Sequence, residues 1–188
     1  KAKQRYVEAI TEFENIYGEN REVRLFSAPG RTEIGGNHTD HQHGCILAGA
    51  VNLDVLAAVS FNDENTVRIK SKGYDMDVVE LNDLEIHPEQ YDKSISLIRG
   101  VLKRFSDMGY ALKGFNAYTE SSVMKGSGVS SSAAFEVLVG TIANHLYAPG
   151  QISPVDIAKI GQYAENVYYA KPSGLLDQMA SSVGAVVA

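Results

Sequence analysis

Two glycines and three consecutive serines fall between Lys125 and Ala134, in the run Gly126-Ser127-Gly128-Val129-Ser130-Ser131-Ser132. Glycine reaches positive φ and lets the backbone come close to a ligand, and serine supplies both a hydroxyl and an N-cap. Immediately afterwards Ala134, Val137, Leu138, Thr141, Ile142 and Leu146 recur at helical spacing. A glycine-serine loop running into a helix is a cradle for an anion. The first amides of the helix have no partner within it and the macrodipole adds partial positive charge, so a phosphate fits there. A plain Gly/Ser linker is flexible and has no need of an amphipathic segment behind it. The nucleotide P-loop does not apply, because the Lys-Ser/Thr pair that closes its motif is missing.

A second dense stretch runs from Pro29 to Gly44 and carries Arg31, Glu33, Asn37, His38, Thr39, Asp40, His41 and His43. So many donors and acceptors on a glycine-rich loop between apolar strands is an arrangement that serves binding, since the scaffold holds the loop still. His38, Asp40, His41 and His43 have the ligand chemistry of zinc. Their order, H-x-D-H-x-H, fits neither the H-E-x-x-H helix nor the metallo-hydrolase order H-x-H-x-D-H, so a zinc hydrolase is the weaker reading. A third stretch, Pro172-Ser173-Gly174-Leu175-Leu176-Asp177-Gln178, follows a helical pattern that holds Glu165 and Asn166. Taken singly, Asp177 would be a helix cap or a solvated carboxylate and Glu165 a surface charge.

The elements that must position these stretches can be traced along the chain. Tyr6, Ala9, Ile10, Phe13 and Ile16 predict a helix over 5–17 with Gly18 as its stop. A strand is expected over 23–27, broken by Pro29 and Gly30. Apolar runs over 45–51 and 54–61, separated by Asn52, and alternating runs over 66–71 and 76–80 predict further strands. A helix over 94–108, a strand over 114–120 and helices over 131–146 and 154–170 follow, the last with Ser153 as N-cap and Pro154 in its first position. Strands first and helices later indicate an α+β domain.

The chain has 188 residues and a formal net charge of −6, with Cys45 its one cysteine. That length favours one domain with a substantial core. The negative charge argues against a nucleic-acid or anionic-membrane partner. A lone cysteine points to a reducing compartment, and the absence of a long apolar run points to a cytoplasmic protein without a membrane partner. The chain starts at Lys1 and stops in the apolar stretch 184–188. It reads as a piece of something longer.

Taken together, the three stretches resemble the motifs of the GHMP sugar kinases, and of galactokinases in particular. Ser27-Ala28-Pro29-Gly30-Arg31 with Gly36-Asn37-His38-Thr39-Asp40 is similar to the signature P-G-R-x-N-L-I-G-E-H-T-D-Y. The run from Gly126 to Ala133 resembles the phosphate loop G-S-G-L-S-S-S-A, and Glu165-Asn166 with 172–178 resembles A-E-N … P-C-G-I-M-D-Q. The resemblance implies the family's N-terminal domain, a mixed β-sheet packed with helices in the manner of ribosomal protein S5 domain 2, over residues 1–188, with the family's C-terminal domain not included. It implies a transferase that uses ATP and Mg²⁺ to phosphorylate the anomeric hydroxyl of galactose or a related hexose. Asp177 would be the general base, and Arg31 would neutralise charge on the transferring phosphoryl group. Ser132 and Glu165 would hold Mg²⁺ with hard oxygens. Gly126, Ser127, Gly128, Val129, Ser130, Ser131 and Ser132 would cradle the phosphates, and Asn37, His38, Asp40 and Gly174 would contact the sugar.

Asn37 stands where the signature has Glu, and His41 where it has Tyr. A hydrogen bond to a charged group is worth roughly 1.5–3 kcal/mol, on the order of 10- to 150-fold in affinity. The exchange therefore bears on which sugar is preferred and leaves the phosphoryl-transfer residues in place. A non-catalytic sugar and nucleotide sensor is the alternative within the family, and Ser132-Ala133, Arg31 and Asp177 all argue for the enzyme. Since two-domain kinases enclose their nucleotide between domains, these 188 residues alone are expected to turn over little.

Overall fold

The computed structural model describes residues 1–35, 46–123, 131–184 and 186–187. Among them, strands β1 (Arg24–Gly35), β2 (Leu47–Phe61), β3 (Thr66–Ser71), β4 (Asp77–Glu80) and β5 (Phe115–Ser121) form one mixed sheet in the order β1-β2-β5-β3-β4. The β3–β5 pairing is parallel and the others are antiparallel. A short strand β6 (Val186–Val187) pairs with β2 at Ala48 and Gly49. Helix α1 (Ala2–Tyr17) covers one face, and α2 (Ser94–Asp107), α3 (Ser131–Tyr147) and α4 (Pro154–Tyr163) cover the other. The period-2 pleat of β2 divides its side chains between the layers. Val55, Ala57 and Val59 pack with Val101, Leu102, Leu138 and Ile157, whereas Leu56 and Ala58 pack with Ala9 and Phe13 of α1. The α+β class with a mixed sheet and packed helices is as the sequence predicts. No helix among the described residues is long and apolar enough to cross a membrane.

Two expectations about the strands are corrected together. β1 does not stop at Pro29 and Gly30, and 45–51 and 54–61 are not two strands. From Pro29 to Arg31 β1 advances two residues while its partner moves from Asp54 to Ala50. The register shift absorbs Asn52 as extra length in one continuous β2, and proline is tolerated because β1 lies at a sheet edge. Arg31 therefore sits inside a strand rather than on a loop. A third correction concerns the helix expected over 154–170. Ser153 does cap it, accepting from the Asp156 amide at 3.1 Å, but after Tyr163 the chain widens into a π-turn (Ala164–Tyr168). The eight-residue α5 (Leu176–Val183) was not foreseen.

Candidate active site

Strand β1 brings Arg31 to the first turn of α5. The guanidinium Nε donates to Asp177 Oδ1 at 2.5 Å, across 146 residues of sequence. Arg31 is only 9% exposed, while the side chain of Asp177 retains 21% of its surface. A carboxylate in the first helical turn also meets the positive end of the helix dipole. Gly174 lies three residues earlier, on the partly exposed loop that enters α5.

Ser131 and Ser132 are the first two residues of α3. Ser132 Oγ donates to Glu165 Oε1 at 3.3 Å. Glu165 stands in the π-turn, where the Tyr169 amide reaches back five residues to the Ala164 carbonyl at 2.9 Å. Such wide turns recur at functional sites. Here the turn carries a carboxylate that is 2% exposed, not the surface charge expected of an amphipathic helix. Its neighbour Asn166 shapes the following loop, accepting from the Ser173 amide at 2.8 Å and donating to the Ser173 carbonyl at 3.3 Å. The Ser173 hydroxyl is thereby set to donate to Glu165 Oε2 at 2.8 Å.

The two pairs are joined through adjacent residues of α5. Successive helical side chains diverge by about 100°, so Asp177 meets β1 while Gln178 turns between α3 and the π-turn. Gln178 Nε2 donates to Glu165 Oε2 at 2.6 Å and to Glu136 Oε2 at 3.0 Å. Burial, with the charge of Glu165 adding to it, pushes the Glu136 carboxyl well above its ordinary value. Lys171, whose side chain is 58% exposed, places Nζ 3.7 Å from Glu165 Oε1. That position beside Oε1 and Ser132 Oγ already favours a positive charge, and an exposed ammonium can swing away. Two hard oxygen donors with a cation-favouring vicinity fit a magnesium ion.

Asn37, His38, Asp40, His41 and His43, and the phosphate-loop residues Gly126, Ser127, Gly128, Val129 and Ser130, lie outside the described residues. Arg31, Ser131, Ser132, Glu165, Gly174 and Asp177 are described, and the structure links Arg31 to Asp177 and Ser132 to Glu165. Glu136, Gln178 and Ser173 were not singled out by sequence reasoning. One signal was available for Glu136: α3 is apolar on almost every side, with Ala133, Ala134, Val137, Leu138, Val139 and Ile142 all buried. A glutamate in such a helix has no wet face to occupy.

The galactose-binding signature of galactokinases matches residues 11–61, and the N-terminal domain of the GHMP kinases matches residues 96–185. Residues 96–185 are a GHMP kinase N-terminal domain. It is 36% identical over 170 residues to the galactokinase of Streptomyces coelicolor, covering 90% of this chain and 43% of that protein. The galactokinase of Lactococcus lactis, solved in complex with galactose, superposes with a TM-score of 0.85 at 26% identity over 94% of this chain and 46% of that one. The mevalonate kinase of Methanococcus jannaschii shares the fold, with a TM-score of 0.74 at 14% identity over 88% of this chain and 52% of that one. The chain thus spans less than half the length of either galactokinase.

Proposed function

We propose that these residues are the phosphate- and sugar-binding domain of a cytoplasmic kinase. Its reaction moves the γ-phosphoryl group of ATP to the anomeric hydroxyl of galactose or a related hexose. The Arg31–Asp177 pair at 2.5 Å carries this reading. In the reaction, Asp177 accepts the proton of the sugar hydroxyl as that oxygen attacks the γ-phosphorus, and Arg31 orients the carboxylate and offsets charge on the transferring group. Phosphoryl transfer asks for positioning and electrostatics more than for covalent chemistry. Ser132 and Glu165 would hold Mg²⁺, which when bound neutralises charge on the phosphates. Ser131 and Ser132, at the start of α3, are suited to phosphate oxygens. Gly174, beside Asp177 in the chain, would face the sugar together with Asn37, His38 and Asp40.

The test is turnover of the full-length protein. Asp177→Ala and Arg31→Ala should each lower kcat about 10²-fold or more while ATP still binds, because both act mainly in the transition state. Galactose, N-acetylgalactosamine, glucose and arabinose, assayed side by side, would identify the preferred sugar. Near-normal rates in both variants would overturn the assignment. Ligand binding without ADP release by the unmutated protein would make it a sensor.

A further inference from the structure

The two oxygens of Glu165 are held differently. Oε2 accepts two short hydrogen bonds, from Gln178 Nε2 at 2.6 Å and Ser173 Oγ at 2.8 Å, whereas Oε1 faces Ser132 Oγ at 3.3 Å and Lys171 Nζ at 3.7 Å. A carboxylate anchored through one oxygen presents the other in a fixed direction, which is the task of the outer partners of a metal ligand. The Gln178 amide is itself fixed, since Nε2 also donates to Glu136 Oε2 at 3.0 Å and both residues are wholly buried. Helix α4 closes over them at Gly161, where a Cβ would come within 3.3 Å of Gln178 Cγ and of Glu136 Cβ.

We propose that Gln178, oriented by Glu136, is a positioning residue that aims Glu165 Oε1 at the cation beside Ser132. The inference rests on Glu165 and Ser132 being the cation ligands of the proposed kinase. The state of Glu136 supports it. Glu136 Oε1 and Gln178 Oε1 are both buried acceptors without a hydrogen-bond partner among the described residues. Burial favours the neutral acid at Glu136, and a proton on Oε1 turns one of those acceptors into a donor. A neutral acid can thus grip the amide without adding a second negative charge next to the ligand.

Binding of Mn²⁺ to the full-length protein, in the presence of a non-hydrolysable ATP analogue and followed by electron paramagnetic resonance, tests the role directly. Gln178→Met should weaken Mn²⁺ binding about 10- to 100-fold. It should raise the Mg²⁺ concentration giving half-maximal rate by a similar factor and leave KM for the sugar unchanged. Glu136→Met should act in the same direction, and Glu136→Gln should restore binding to within about threefold, since an amide keeps both a donor and an acceptor. Should Gln178→Met fail to fold, the Glu136 pair decides alone. Mn²⁺ affinity within twofold of wild type in both Met variants overturns the proposal, as does an equal loss of metal and sugar binding. Glu165→Gln separates the two levels. Normal Mn²⁺ binding by that variant removes the ligand assignment itself, whereas loss there with no loss in Gln178→Met removes only the positioning role.

Discussion

Glu136 places an acid in a helix that offers it no water, and the consequence for stability has a definite sign. A carboxyl held above its ordinary value of 4.5 binds its proton more readily folded than unfolded. Its contribution is therefore fully present below that ordinary value and is lost as pH rises toward the folded value. Wild type should gain on Glu136→Gln as pH is lowered from 8 to 5, when the two are compared by urea unfolding. A wild type that gained nothing on the variant, or lost ground to it, on acidification would show Glu136 ionised in the fold. At this scale the sequence pointed to Arg31 and Asp177, which stand in motifs that resemble those of the GHMP kinases, and the structure pairs the two. Gln178 escaped notice because glutamine is chemically unremarkable until two carboxylates are found sharing its amide. That contact joins residues 42 and 13 positions apart, a separation no periodicity records.

The π-turn owes its place to close packing against α2. A Cβ at Gly100 would lie 2.9 Å from both Cα and Cβ of Ala164 and 3.0 Å from Tyr168 Cγ. Alanine at a helical position gains up to about 1 kcal/mol over glycine, but here it meets backbone, which cannot step aside, and overpacking costs typically 1–3 kcal/mol. Gly100→Ala should therefore be destabilising on balance, by about 1–2 kcal/mol in chemical unfolding, and a more stable variant would contradict the packing described. Element boundaries were legible where pattern and packing agree, as in β3 and α2. They failed where a local device overrode the pattern. Proline at Pro29 reads as a strand end, yet an edge position and a register shift let β1 continue. Helix α5 was missed although Leu176, Met179, Ala180 and Val183 stand at i, i+3, i+4 and i+7, because eight residues are shorter than the window over which a helical period stands out.

Across the whole molecule, Arg5 of α1 is tied to the sheet by ion pairs with Asp54 of β2 and Glu120 of β5. Asp54 also accepts from the Ser27 hydroxyl at 2.5 Å. Burial pushes the Asp54 carboxyl up, but the hydrogen bonds from Ser27 and Arg5 and the Arg5 charge outweigh it, so the group titrates below its ordinary 3.8. A lowered carboxyl contributes stability above that value and loses it as pH falls through the folded one. Asp54→Asn should cost roughly 1–2 kcal/mol at pH 7 for so partly exposed a cluster. The difference from wild type should close as pH is taken toward 3, and a constant difference would assign the cost to packing. The α+β class was legible in the order of strands and helices. The convergence of the candidate site was expected only through the family resemblance, because no local pattern says that β1 and α5 meet from opposite ends of the chain. A ribosome adds about 5–20 residues each second, so Arg31 emerges about 7–30 s before Asp177, which is 146 positions later. Throughout that interval the newborn chain has its sheet edge and guanidinium but not the carboxylate that the proposed reaction needs, so the candidate pair exists only once α5 is made.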